Sequence, residues 1–288
     1  MADLKRLLVP IRSDGKSSDV LAHAALLATR FTAHIEAVHC RARPEDMLPY
    51  AVAVPQALRQ RIQQEAERLA NTDETLLRET YEETMGRYGI AVVAQGAPVP
   101  RDRASARWFE EEGRQMDVIR RHGRIADLSV VAKPDRDQNL GFNTLRAALY
   151  QTGRPVLLCP DAEPAGPLGR HVAIAWNGSL EATRALSLGG ALIAAAERVT
   201  ILDGGAEDPA MGGQVLAETL ALKGISADRR EIAAGRDPGA VILAEARASG
   251  ADLLVMGAYS HSREYETIFG GATQHVVEET AIPVLMAH

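Results

Sequence analysis

The sequence is poor in cysteine, in aromatic residues and in long apolar runs. Its two cysteines, Cys40 and Cys159, are too sparse for a disulfide framework and are typical of reduced, buried thiols. Aromatic residues make up 4% of the chain, which argues against stacking on single-stranded nucleic acid. No apolar run approaches the roughly 20 residues that span a bilayer. These absences exclude a disulfide-stapled secreted domain and a membrane span.

Basic charge and common catalytic motifs are also lacking. The formal net charge is −6, whereas a nucleic-acid-binding surface would be basic. The sequence contains no Gly-x4-Gly-Lys-Ser/Thr loop, no Gly-x-Ser-x-Gly elbow and no His-Glu-x-x-His or Cys-x-x-Cys spacing. We therefore expect no nucleic-acid partner, no P-loop hydrolysis, no acyl-transfer nucleophile and no metal site. No secretory signal is visible, so we expect a cytoplasmic protein.

What the 288 residues do contain is a long-range repeat. Four segments of the first half recur in the second: 5–11 with 170–176, 113–119 with 235–242, 126–132 with 251–257, and 154–159 with 282–287. Two copies indicate a tandem duplication rather than a solenoid. The join at 160–169 is rich in Pro, Gly and Ala and is typical of a linker. We predict an N-terminal domain over 1–160 and a C-terminal domain over 169–288.

Each copy alternates short apolar runs with helical patterns. In the second copy we predict strands at 171–176, 198–203, 226–232, 252–257 and 283–287, and helices at 179–195, 210–223, 238–249 and 271–280. Runs rich in Val, Ile and Leu suit parallel strands that are buried on both faces. The pattern predicts an α/β fold with a doubly wound, five-stranded parallel sheet in each copy. Ligands of such sheets bind beyond the carboxyl ends of the strands.

The first copy is longer than the second. The offset between matched residues falls from 164 for Ile35 and Val199 to 122 for Gly113 and Gly235, so the first copy carries 42 extra residues. Most of them lie within 44–103. The pattern over 56–88 predicts a long charged helix, which is either a lid over a ligand or, on base rates, a helix packed on the sheet or on a partner.

The segment after the fourth strand of the second copy is a candidate phosphate site. Strand-end Met256 is followed by Gly257, two residues, Ser260, nine residues, and then Gly270 and Gly271. Small residues between a strand and a helix let the backbone approach an anion, which the first N–H groups and the dipole of the helix then favour. The candidates are therefore Met256, Gly257, Ser260, Gly270, Gly271, Ala272 and Thr273. His261 lies within the loop and is either a phosphate contact or an exposed histidine.

This loop and the repeat together resemble the universal stress protein family in its tandem two-domain form. The resemblance implies flavodoxin-like domains that pack as an internal pseudo-dimer with their fifth strands adjacent. It also implies a Gly-x2-Gly-x9-Gly-Ser/Thr loop that holds the phosphates of ATP. By the same resemblance, Ala175 and Asn177 lie near the ribose, and the backbone of Leu202 or Asp203 reads adenine. Asp203 could equally cap the turn that follows it.

The chain departs from the family pattern at three positions of the second copy and throughout the loop of the first. Ser260 replaces a glycine, Gly271 replaces a hydroxyl residue, and Asn177 replaces an Asp, whose charge would favour Mg²⁺. In the first copy, the loop over 132–144 lacks the first glycine pair, and Pro134 removes an N–H donor. Lys133 and Arg136 could still attract an anion there, but this copy is expected to be degenerate.

Two hypotheses of different classes follow. The first is a non-enzymatic sensor or regulator that binds ATP or another adenine nucleotide, with or without Mg²⁺, in its C-terminal half. The second is a stress-related interaction module that binds no nucleotide. Slow hydrolysis would be incidental, because His261 and Glu264 are the nearest candidates for a general base. A homodimer of the whole chain and the identity of protein partners stay open.

Overall fold

The computed structural model describes residues 4–41, 74–136, 140–233, 237–259 and 271–288. Its strands are β1 Arg6–Ile11, β2 His34–Arg41, β3 Ala91–Val92, β4 Ser105–Glu112, β5 Leu128–Ala132, β6 Val156–Cys159, β7 His171–Trp176, β8 Arg198–Asp203, β9 Ala227–Glu231, β10 Leu253–Gly257 and β11 Val284–Ala287. They form one sheet in the order β3-β4-β2-β1-β5-β6-β11-β10-β7-β8-β9.

The helices lie between the strands, as the alternating pattern predicts. They are α1 Ser17–Phe31, α2 over 74–87, α3 Gln115–Gly123, α4 Phe142–Gln151, α5 Leu180–Leu188, α6 Gly190–Ala194, α7 Gly213–Ala221, α8 Pro238–Ser249 and α9 Gly271–Glu279. In the second half, the predicted strands and helices all occur within two or three residues of their predicted bounds, with one helix divided in two. Of the helices in the described part of the chain, none is long and apolar enough to cross a membrane.

The predicted helix over 179–195 is broken at Gly189 into α5 and α6. A Cβ at this position would lie 2.5 Å from Cδ2 of Leu285, so a larger residue would collide with the sheet. The glycine therefore leaves room for a side chain of β11 at the point where the helix breaks.

The two halves join through the last strand of each half, β6 and β11, as predicted. β6 pairs with β11 in the antiparallel direction, with Leu157 opposite Leu285. Every other pairing among the described strands is parallel. Helices cover both faces of this sheet, and on each face one apolar core contains residues of both halves. The halves therefore share their cores across the junction.

The duplication is visible in single hydrogen bonds. The carboxylate of Asp127, just before β5, accepts from the backbone N–H groups of Lys5 and Arg6 at 2.9 and 2.8 Å. Asp252, just before β10, accepts in the same way from Arg170 and His171, both at 3.1 Å. In each half, the aspartate just before β5 or β10 thus holds the start of that half's first strand.

The prediction of a long helix over 56–88 lies partly outside the described residues. Its described part, α2, packs on the sheet through three buried side chains of the apolar core, Leu77, Tyr81 and Met85. The Tyr81 ring contacts that of Trp108 on β4, with 5.5 Å between centroids. For these residues the packed-helix alternative is confirmed. The short edge strand β3, which pairs with β4, was not predicted from the sequence.

Candidate functional site

A cavity of about 330 Å³ opens at the carboxyl ends of the second-half strands. It lies beside β7, β8 and β10, where a parallel α/β sheet places its ligands. Its volume falls within the roughly 300–1,000 Å³ that is usual for small-molecule sites. The residues that line it are Ala175, Trp176, Asn177, Ser179, Leu202, Gly204, Gly205, Ile232, Ala233, Pro238, Val241, Ile242, Met256, Gly257, Ala272 and Thr273.

The cavity is lined by both apolar and polar side chains. Leu202, Ile232, Val241, Ile242 and Met256 supply aliphatic surface, while Asn177, Ser179 and Thr273 supply polar side chains. Predominantly apolar walls with a few placed polar groups are typical of small-molecule sites. The lining suits a ligand that carries both apolar and polar groups.

The end of β7 forms a capped turn beside the cavity. Asn177 Oδ1 accepts from the backbone N–H of Ser179 at 3.1 Å, and Gly178 adopts a positive φ of 72°. Ser179 Oγ then accepts from the N–H of Ala182 at 3.2 Å and caps α5. Asn177 is exposed, but its side-chain oxygen is already engaged in this turn.

The amino ends of three helices meet at the cavity. α5 contributes its cap Ser179, α8 contributes Pro238, Val241 and Ile242, and α9 contributes Ala272 and Thr273. The first N–H groups of a helix carry a partial positive charge and favour an anion. The amino ends of these helices therefore favour a negatively charged ligand group at this edge of the sheet, although Asp237 already caps α8.

Gly257, the first glycine of the predicted phosphate loop, is required for helix packing. A Cβ at Gly257 would lie 2.5 Å from the backbone nitrogen of Ala182 and 2.6 Å from the carbonyl carbon of Glu181. Both are backbone atoms of the first turn of α5, which cannot move aside as a side chain can. Gly257 also lines the cavity. The lack of a side chain therefore lets α5 pack closely on β10 and leaves the cavity open at this point.

Tyr259, two residues later, lies in the left-handed region with a φ of 61°. Its backbone N–H donates to Oγ1 of Thr273, at 3.1 Å, which joins the end of β10 to the first turn of α9. Both residues are buried. The hydroxyl of Thr273, a candidate residue of the phosphate site, thus accepts a bond within the protein.

Asp203 lies at the end of β8 but not in the lining of the cavity. Its carboxylate accepts from the N–H groups of Gly205 and Gly213 and from Nε of Arg229, the last at 2.8 Å. Burial alone would raise the pKa of Asp203, but these hydrogen bonds outweigh it and hold that pKa below its ordinary value. Of the two roles left open, the structure shows the turn-holding one for this side chain.

The backbone of Asp203 is also engaged, since its carbonyl accepts from the N–H of Ile232. Leu202, the other candidate for reading a base, lines the cavity. Ala175, Asn177, Met256, Gly257, Ala272 and Thr273 do so as well. Gly271 begins α9 and is exposed. Ser260, His261 and Gly270 lie outside the described residues.

Sequence reasoning missed the side of the cavity formed after β8 and β9. These residues are Gly204, Gly205, Ile232, Ala233, Pro238, Val241 and Ile242, together with Trp176 at the end of β7 and Ser179 after it. The signal was available, because the carboxyl ends of all parallel strands share one edge of the sheet. The prediction named residues of the glycine loop but none of the residues that directly follow β9.

A sequence model of the universal stress protein family matches residues 170–288. This half of the chain belongs to the universal stress protein family. No curated protein sequence matches the chain. The match covers the strands, the cavity and the glycine loop of the second copy, so the predicted family is confirmed for this half.

The fold of a universal stress protein extends over the whole chain. A universal stress protein from Archaeoglobus fulgidus DSM 4304 is 16% identical, covers 99% of both chains and superposes with a TM-score of 0.69. A functionally unknown protein from Pseudomonas aeruginosa PAO1 is also 16% identical, covers 99% of this chain and 92% of its own, and gives a TM-score of 0.51. At this identity the likeness shows the fold alone.

In the N-terminal half, an arginine packs against the segment that corresponds to the glycine loop of the second half. Arg12, which follows β1 as Asn177 follows β7, donates from Nη1 to Oγ1 of Thr144 at 3.2 Å and pairs with Asp14. Its Nη1 lies 2.5 Å from where a Cβ of Gly141 would stand. The Arg12 side chain therefore lies against Gly141 and the first turn of α4.

The two cations named from the first-copy sequence are also engaged in ion pairs. Lys133 Nζ lies 3.4 Å from a carboxylate oxygen of Asp161, and Arg136 Nη1 lies 3.3 Å from one of Glu278. The Arg136 pair crosses from the first half to α9 of the second. Both cations therefore already have a carboxylate partner within the protein.

Proposed function

We propose that the C-terminal half binds ATP or another adenine nucleotide in this cavity and acts as a sensor or regulator. The observation that carries the proposal is the cavity itself, which is lined by aliphatic side chains together with the first turn of α9. The aliphatic surface suits a base, and the helix amino end suits a phosphate. The proposal is one of binding, and it assigns no catalytic step to any residue.

The described residues fit Mg²⁺ poorly. Asn177 offers an amide oxygen that already accepts from Ser179, and the cap oxygen of Ser179 accepts from Ala182. Neither brings the charge that Mg²⁺ sites draw from carboxylates. Among the described residues, no group of three or more His, Cys, Asp or Glu side chains is placed to hold a metal. We therefore expect nucleotide affinity to change little when Mg²⁺ is removed.

Calorimetric titration of the full chain with ATP, ADP and AMP, each with Mg²⁺ and with EDTA, tests the proposal. Val241→Trp places a large ring in the cavity and is expected to abolish binding. Val215→Trp, on the exposed face of α7 outside the cavity, is the matched control. Wild-type protein that binds none of the three nucleotides would overturn the proposal.

The alternative function, an interaction module without a nucleotide, is favoured by one observation. The side-chain oxygens of Asn177 and Thr273, which line the cavity, already accept bonds within the protein. Gly271→Ser separates the alternatives, because a side chain at Gly271 meets no atom within 4 Å. A large gain in ATP affinity would show that the natural site is weakened at this position, while binding absent from both proteins would favour the module.

A further inference from the structure

Tyr259 anchors the start of the candidate phosphate loop in the other half of the protein. Its ring packs against that of Tyr150 on α4, with 5.9 Å between centroids and 36° between planes. Tyr150 also contacts the ring of His288 edge-on, with centroids 4.5 Å apart. His288 Nδ1 donates to the carbonyl of Ala258 at 3.0 Å. Tyr150 and His288 therefore both contact the backbone or side chains of the segment 258–259.

The backbone of this stretch is unusual for its sequence. A left-handed φ is costly for a residue with a large side chain and persists where the surroundings hold it in place. Here the ring of Tyr259 is buried among residues of both halves, while its N–H is fixed to Thr273. Burial also raises the pKa of its phenol, which keeps the ring neutral. The aromatic contact with Tyr150 is thus one of the constraints on the backbone conformation.

The ring of Tyr259 does not line the cavity, but its neighbours do. Gly257 lies two residues before it, and Thr273 accepts its N–H bond; both are part of the lining. A shift of the ring would therefore move cavity atoms through the backbone. Tyr150 contacts Tyr259 from the N-terminal half, so it can act on the site without touching a ligand.

The aromatic pair is not a consequence of the duplicated fold. The position that matches Tyr259 in the first half is Pro134, and the position that matches Tyr150 in the second half is Glu278. The corresponding region of the junction instead holds the ion pair of Arg136 and Glu278. The contact between Tyr150 and Tyr259 therefore constrains the loop of one half, and this is the half that holds the cavity.

We propose that Tyr150 is a positioning residue for the nucleotide site of the C-terminal half, and that it acts through Tyr259. The inference rests on the proposed function. It makes the N-terminal half a regulator of nucleotide affinity in the second half. Because coupling between sites is reciprocal, a bound nucleotide must in turn stabilise the contact with α4.

The test compares ATP affinities of the full-length wild type, Tyr150→Ala, Tyr150→Phe and Tyr88→Ala by calorimetry. Tyr88 is a half-buried tyrosine of the first half that does not belong to the cluster, and it controls for loss of a ring. We expect Tyr150→Ala to weaken ATP binding at least about fivefold, the lower range of coupling between sites. Tyr150→Phe and Tyr88→Ala should bind as the wild type does.

Hydrogen exchange supplies a readout that a purely structural role would not give. ATP should slow amide exchange in α4 of the wild type and of Tyr150→Phe, and should leave α4 unchanged in Tyr150→Ala. Wild type that binds ATP while Tyr150→Ala binds equally well overturns this inference alone. Wild type that binds no nucleotide overturns the proposed function and the inference with it.

Discussion

The backbone N–H of Tyr259 and the hydroxyl of Thr273 lie 3.1 Å apart and join the end of β10 to the start of α9. The two residues are 14 positions apart in sequence, on either side of the glycine-rich loop. This bond fixes the distance between the two ends of the loop. It also occupies one acceptor position of the hydroxyl that the sequence suggested for phosphate.

Replacement of Thr273 by Val should therefore destabilise the protein. The isosteric Val leaves the buried N–H of Tyr259 without an acceptor, which costs about 1–3 kcal/mol. Urea unfolding at neutral pH measures the change, with Thr273→Ser as the control that keeps the hydroxyl. A free energy of unfolding for Thr273→Val within about 0.5 kcal/mol of the wild type would show that another group satisfies this N–H.

Gly257 and Gly271 should respond in opposite ways to alanine. Gly257→Ala drives a Cβ into the backbone of α5 and should cost about 1–3 kcal/mol of unfolding free energy, as overpacked cores do. Gly271→Ala meets open space at the start of α9 and should be neutral or stabilising by up to about 1 kcal/mol. Thermal or urea unfolding in the absence of nucleotide measures both variants. Equal effects of the two substitutions would contradict the packing role of Gly257.

Asp203 should contribute to stability in a pH-dependent way. Its pKa in the folded protein is held below the ordinary 3.8, chiefly by the hydrogen bonds that overcome burial. The unfolded chain therefore takes up the proton first as pH falls, so this contribution is present above the ordinary pKa and is lost as pH drops through the folded value. Urea unfolding from pH 7 to pH 3 should show the wild type converging toward Asp203→Asn at the acid end.

A matched control for Asp203 is Asp228→Asn, which removes the exposed ion pair with Arg198. Exposed pairs contribute little, so this variant should follow the wild-type pH profile. A constant gap between the wild type and Asp203→Asn down to pH 3 would indicate that the Asp203 pKa is not lowered by folding.

We expect the chain to bind one nucleotide, because in the first half the Arg12 side chain lies where the phosphates of a ligand would bind. Its guanidinium lies against Gly141 and donates to Thr144. Calorimetric stoichiometry of one for the wild type, and of zero for Val241→Trp, is the expected result. Binding of a second nucleotide by the wild type would contradict the blocking role of Arg12, whereas a second site that appears only in Arg12→Ala would support it.

The sequence by itself determined the α/β architecture, the duplication and the order of elements in the second half. Short apolar runs alternate with helical periodicity, and the repeated segments carry the same local preferences twice, so these features need no knowledge of distant contacts. Seven of the proposed residues, Ala175, Asn177, Leu202, Met256, Gly257, Ala272 and Thr273, line the cavity for the same reason: each ends a strand or begins a helix on one edge of the sheet.

Tertiary structure decided what these residues do. Gly257 is small because α5 crosses it, Asp203 turns to Arg229 rather than to the cavity, and Arg12 occupies the first-half loop. Each role depends on an atom far away in sequence, which local patterns do not encode. The contact of Tyr150 with Tyr259 is the clearest case, since it joins residues 109 positions apart across the junction of the halves.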